Sequence, residues 1–146
     1  MIGIRLMQPR DRGSVLAMMR VFYASPAVLS DGSEAVFQAD LDACLDPDCP
    51  AQGYLFEEGG RPVGYAMTVR SFSTEFGRRC LWIEDLYLDP AHRHQGAGSA
   101  FIQRMRREHP GWLIRLEVER ENAKAVAAYR KNGMQELPYL EMILQA

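Results

Sequence analysis

His92-Arg93-His94-Gln95-Gly96-Ala97-Gly98-Ser99 stands between a strand pattern and a helix pattern, and its reading decides the fold. Upstream, Cys80 to Leu88 reads as a strand. Downstream, Ala97 to His109 reads as a helix. Phe101, Ile102 and Met105 lie on its apolar side, and Arg104, Arg106, Arg107 and Glu108 largely on the other. A strand that passes through a glycine-rich turn into a helix leaves backbone N–H groups unpaired at the helix start. Those groups and the helix dipole both favour an anion there. Gly96 and Gly98 let the backbone approach a phosphate with no side chain in the way. Arg93 adds a fixed positive charge with a planar fork of donors. The turn suits a pyrophosphate. A dinucleotide fingerprint fits less well, because Phe101 stands where its last Gly or Ala belongs, and a P-loop fits less well because the turn has no lysine.

Outward from this turn the pattern continues in both directions. Ile2 to Met7 alternates as a first strand, ended by Pro9 and Asp11. Ser14 to Tyr23 has helical spacing at Val15, Leu16, Met18, Met19 and Phe22. A second helix is expected over Ser33 to Leu45, with Ser33 as N-cap. Then comes a meander: Tyr54 to Glu57, a hairpin turn at Glu58-Gly59-Gly60-Arg61, Pro62 to Ser71, and Cys80 to Leu88. After the Ala97–His109 helix, Trp112 to Glu119 alternates, with Trp112, Ile114, Leu116 and Val118 on one side. Asn122 caps a last helix that Gly133 stops, and Tyr139 to Leu144 reads as a final strand. Antiparallel strands followed by a strand–helix–strand–helix unit predict a mixed α/β sheet.

Composition sets bounds. A length of 146 residues suits one domain, residues 1–146. The hydrophobic share is 47% and the charged share 25%, as in ordinary globular proteins. A net charge of −2 gives no general attraction to nucleic acid. No apolar run reaches the ~18 residues of a membrane helix, and the N-terminus lacks the apolar stretch of a signal peptide. Cys44, Cys49 and Cys80 form neither a disulfide framework nor a zinc pattern, and read as free thiols in a reducing cytoplasm. His92, His94 and His109 have no metal-ligand spacing, so no metal is expected.

Two blocks carry a family resemblance. Ile83-Glu84-Asp85-Leu86-Tyr87-Leu88-Asp89-Pro90, followed by Arg93 to Gly98, resembles the central motif of the GCN5-related N-acetyltransferases, the GNAT superfamily. Asn122-Ala123-Lys124-Ala125-Val126-Ala127-Ala128-Tyr129, continuing to Gly133-Met134, resembles that family's second motif, with Met134 in place of its final Phe. The resemblance covers the second half of the chain. It implies a GNAT-type mixed, mostly antiparallel sheet flanked by helices, with splayed central strands. It implies an acetyl-CoA-dependent N-acetyltransferase whose acceptor is a primary amine. Polyamine- or amino-acid-like small molecules are the first expectation. A protein N-terminus or lysine, a longer acyl group, and a non-catalytic coenzyme A-binding module are the alternatives. No membrane or nucleic-acid partner is expected, and the family leaves room for a homodimer.

Site residues follow from the resemblance. Arg93, His94, Gln95, Gly96, Ala97, Gly98 and Ser99 would hold the pyrophosphate, with His94 and Gln95 bulkier than the family's usual residues. Leu86, Tyr87 and Leu88 would hold the pantetheine arm through their backbone after a bulge. Asn122, Ala125 and Tyr129 belong to the second motif, in which the tyrosine is general acid to the coenzyme A sulfur. A phenol of ordinary pKa about 10 is protonated at neutral pH and can donate. Glu84 and Asp85 are the candidate bases. Strict alternation puts Glu84 with Trp82, Leu86 and Leu88, and Asp85 with Leu81, Ile83 and Tyr87, unless a bulge intervenes. The alternative is that one acid is exposed and the other pairs with an arginine. Tyr23, Phe72, Glu117 and Glu119 are candidate walls of an acceptor pocket, where aromatic and acidic side chains suit a cationic amine.

Overall fold

The computed structural model describes residues 1–29 and 32–145. Its elements are β1 (Ile2–Leu6), α1 (Arg12–Tyr23), α2 (Glu34–Leu45), β2 (Ala51–Glu58), β3 (Arg61–Ser73), β4 (Arg78–Leu88), α3 (Ala97–Glu108), β5 (Leu113–Leu116) and α4 (Ala123–Lys131). The sheet runs β1-β2-β3-β4-β5. Its first four strands are antiparallel, and β5 lies parallel to β4. This is the expected mixed sheet, and local chemistry explains its joints. Gly59 and Gly60 take positive φ in the two-residue β2–β3 turn. Ser33 Oγ accepts from the Val36 N–H at the start of α2, and Asn122 Oδ1 accepts from the Ala125 N–H at the start of α4.

Each face of the sheet carries its own core. Val15 and Met19 of α1 and Phe37 and Leu41 of α2 pack on Leu55, Tyr65, Met67 and Tyr87. On the other face Phe101, Ile102 and Met105 of α3 pack on Tyr54, Phe56, Ala66, Leu81 and Ile83, with Tyr129 and Met134 alongside. Side-chain alternation along β2 and β3 divides the residues between the two faces. Gly64 marks a tight crossing: a Cβ there would stand 2.4 Å from the Tyr87 carbonyl oxygen.

Two expectations are corrected. β5 covers only Leu113–Leu116, so Glu117 to Glu119 lie beyond the ladder. The segment from Tyr139 to Leu144 forms no strand. Its alternation fits a strand, but a strand exists only through an edge that pairs with it, and no described residue pairs with this segment. No described helix is long and apolar enough to cross a membrane.

Candidate active site

The centre of the molecule is the place where β4 leaves β5. Their pairing stops at Ile83 and Leu116, while β4 continues to Leu88 beside β3. Backbone groups of Glu84–Leu88 on the side away from β3 therefore have no ladder partner. A bulge sits at the same point: Met67 pairs with Asp85 and Thr68 with Ile83, leaving Glu84 as the extra residue.

The bulge overturns the strict alternation expected of this strand. Leu86 and Leu88 share the α3 face with Leu81 and Ile83. Asp85 shares the opposite face with Tyr65 and Tyr87. Asp85 is 5% exposed. Its Oδ2 accepts from the Tyr65 hydroxyl at 2.7 Å and its Oδ1 from the Tyr23 hydroxyl at 3.1 Å. Neither candidate acid pairs with an arginine among the described residues. Burial raises the Asp85 pKa, although the two phenols work against that rise. Asp85 in turn pushes both phenols far above their ordinary range, after the larger effect of their own burial.

Glu84 is exposed at the bulge. Partial burial, then Asp85 and Glu141, hold its carboxyl above the usual range. Asp40, on the sheet-facing side of α2 three residues after Phe37, completes the group. Burial and the charges of Asp85 and Glu84 push it up to about 6. Glu117 is pushed up to about 7, chiefly by a hydrogen bond with Glu141 and then by burial. Phe22, Tyr23 and Phe37 wall this side, with Tyr23 and Phe37 ring centroids 5.2 Å apart. The result is a set of carboxylates and aromatic rings with no basic side chain paired to Glu84, Asp85 or Asp40 among the described residues.

The glycine-rich turn lies at the far end of β4. Gly96 has φ 83° and opens α3 without a side-chain cap. The first bond into the helix runs from the Ala100 N–H to the Gly96 carbonyl. The N–H groups of Ala97, Gly98 and Ser99 have no oxygen partner among the described residues. A Cβ on Gly96 would enter open space, and one on Gly98 would meet only Leu86 Cδ2, at 3.9 Å. This is a cradle of free donors that suits a pyrophosphate. Arg93 is folded back: its Nε donates to the Leu88 carbonyl at 2.8 Å, and its guanidinium lies 5.8 Å over the Tyr87 ring. His94 takes φ 63°, and Gln95 Nε2 donates to the Ala91 carbonyl.

Tyr129 is half-buried against the α3-side core, with its hydroxyl bonded to no described residue. Burial raises its pKa, so it holds its proton at neutral pH. Ala125 lies on the first turn of the same helix. Asn132, which sequence reasoning did not single out, ties the two motifs together: its Nδ2 donates to Ser99 Oγ at 2.9 Å, and Gln103 donates to its Oδ1. Tyr65 and Asp40 also escaped notice, because an inward Tyr on a strand and an Asp on a helix carry no motif. Phe72 lies elsewhere, in a groove with Arg70, Ser71, Arg79 and Trp112. The Glu119 side chain, half-buried, makes no hydrogen bond or ion pair with a described residue. No described group of three or more His, Cys, Asp or Glu residues is placed to hold a metal ion.

Comparison with known proteins adds to this geometry. Residues 16–134 match the model of the acetyltransferase (GNAT) family. The chain is 32% identical to a thialysine N-epsilon-acetyltransferase from Sus scrofa, with 94% of this chain and 86% of that protein covered. In fold it is similar to a possible acetyltransferase from Clostridium difficile 630, at TM-score 0.80 and 19% identity, covering 99% and 97% of the two chains. It is similar also to AAC(6')-Iy in complex with a coenzyme A bisubstrate analogue, at TM-score 0.79 and 13% identity, covering 100% and 99%.

Proposed function

The chain belongs to the acetyltransferase (GNAT) family and is an N-acetyltransferase, and from that premise we propose that it carries the acetyl group of acetyl-CoA directly to the primary amine of a small cationic acceptor, polyamine- or amino-acid-like. The observation that carries this reading is the parting of β4 from β5. The gap opens beside a row of carboxylates at the bulge, and β4 leads on to the free N–H groups at the start of α3. The name of the Sus scrofa relative, with a terminal side-chain amine as acceptor, agrees with it.

The residues fit the coenzyme. Ala97, Gly98 and Ser99 offer unpaired N–H groups, and open space stands where side chains at Gly96 and Gly98 would be. Arg93 retains free guanidinium donors for a phosphate after its Nε bond to Leu88. The unpaired backbone of Leu86, Tyr87 and Leu88 holds an extended arm as a strand edge holds a peptide. Acetyl-CoA supplies an activated thioester. Glu84, open to solvent and raised in pKa, takes the proton from the attacking amine nitrogen. Asp85 is already engaged by two phenols and acts as a buried anion that positions Tyr23 and attracts a cation. Tyr129 gives its phenolic proton to the departing sulfur. Asp40, repelled by Asp85 and Glu84, and Glu117, repelled by Glu141 and Glu84, favour an acceptor that brings positive charge, since a cation relieves that repulsion.

The test is a panel of amines with acetyl-CoA, following release of free thiol. Turnover is expected with diamines or basic amino acids. Turnover confined to protein lysines or N-termini, or none with any amine, would set this reading aside.

A further inference from the structure

Asn132, at the C-terminal end of α4, makes more hydrogen bonds than ending a helix requires. Its backbone N–H closes the helix on the Ala128 and Tyr129 carbonyls. Both ends of its side-chain amide are engaged as well. Nδ2 donates to the Ala128 carbonyl at 2.8 Å and to Ser99 Oγ at 2.9 Å. Oδ1 accepts from Gln103 Nε2 at 3.1 Å. Ser99 and Gln103 stand four residues apart on α3, on one face of that helix. Asn132 and Ser99 are both half-buried.

This arrangement fixes the place of a proton. A backbone carbonyl only accepts, so the amide nitrogen of Asn132, and not its oxygen, must face Ala128. The same nitrogen reaches Ser99 with its second hydrogen. Ser99 Oγ is therefore the acceptor in this bond, and its own hydrogen has to point elsewhere. That hydrogen is given to no described residue. Ser99 is the third residue of α3, in the turn whose backbone N–H groups are unpaired. A hydroxyl that accepts from an amide is also polarised into a better donor. Without Asn132 the hydroxyl could turn back onto a carbonyl of the preceding turn, as serines in helices do.

We propose that Asn132 is a positioning residue for the coenzyme. By donating to Ser99 Oγ it turns the Ser99 hydroxyl hydrogen toward the pyrophosphate, as one more donor beside the N–H groups of Ala97, Gly98 and Ser99. The proposal rests on the coenzyme reading of the α3 turn. It makes the end of α4, the helix that carries Tyr129, part of the device that holds the phosphates.

Calorimetric titration of coenzyme A into the wild-type chain, Ser99→Ala, Asn132→Ala and the double variant tests this as a cycle. Ser99→Ala is expected to weaken binding about tenfold, the loss of one hydrogen bond to a charged group. Asn132→Ala is expected to weaken it about threefold or more, and the double variant to bind no more weakly than Ser99→Ala alone. An Asn132 that only ends α4 would weaken binding by the same factor with or without the Ser99 hydroxyl, and that additive result overturns the proposal. So does full affinity in either single variant. If Asn132→Ala does not fold, Asn132→Leu, close in size to the native side chain, takes its place in the cycle. A wild-type chain that binds no coenzyme A overturns the coenzyme reading as well, whereas binding with additive losses overturns only the role of Asn132.

Discussion

At Glu84 the chain carries one residue more than the strand beside it, and much of the site's chemistry turns on that excess. Without the bulge, alternation would send Glu84 to the face of Leu86 and Leu88. With it, Asp85 turns inward onto Tyr65 and Tyr23, and Glu84 stays open to solvent. An accessible carboxylate of raised pKa suits a base, and a sealed one already accepting two phenols suits an anchor. Glu84→Gln is therefore expected to slow turnover of a high-pKa amine more than Asp85→Asn does, and to remove the acidic limb of the pH–rate profile. Asp85→Asn is expected to act mainly on the acceptor KM. The reverse ranking in steady-state kinetics would move the base to Asp85. Tyr129→Phe removes only a hydroxyl, so packing is kept. A fall in kcat of roughly tenfold to a thousandfold is expected, with acetyl-CoA affinity unchanged. Wild-type turnover in that variant would leave Tyr129 a packing role alone.

Elements differ in how much of them the sequence reveals, and the difference is physical. The turn at Gly96 and the helix after it are local: capping, glycine and 3.6-residue periodicity lie within a few residues, and α3 was legible in the sequence to within one residue of its end. α2 was equally legible from Ser33 and its apolar spacing. The bulge was expected from the family resemblance and not from the strand's own residues, because it is a property of the register between β3 and β4. The tail was misread for a related reason: its alternation states what a strand needs, not whether another strand pairs with it. β5 ends early where β4 diverges, which no pattern within Trp112–Glu119 encodes. Gly64 shows the same non-local logic. Its place opposite Leu88, against the Tyr87 backbone, makes Gly64→Ala a clash with a carbonyl that cannot yield. A loss of about 1–3 kcal/mol or more is expected in chemical denaturation. An unchanged midpoint would mean that β3 and β4 can part there.

For the whole molecule, the acceptor side concentrates negative charge that the fold alone does not neutralise. Glu117 sits at about 7 in the folded chain against an ordinary 4.5. A carboxyl raised in this way binds its proton more tightly when folded. Its contribution to stability is therefore intact below about pH 4.5, declines as pH rises through about 7, and levels off above that. Glu117→Gln is thus expected to gain melting temperature over the wild type at pH 8 and to show no gain near pH 4.5. An equal difference at both values would mean that the Glu117 carboxyl is not raised in the folded chain.

The opposite charge preference belongs to the α3 turn, and the account rests most heavily on the coenzyme lying between the two. Calorimetric titration with coenzyme A, NAD and ATP, repeated on Gly98→Val, measures this directly. The account predicts that coenzyme A binds one per chain, that NAD and ATP do not compete, and that the added side chain, reaching from the α3 turn toward Leu86, abolishes binding in a folded protein. Binding of NAD or ATP in place of coenzyme A, or full coenzyme A affinity in Gly98→Val, would contradict it.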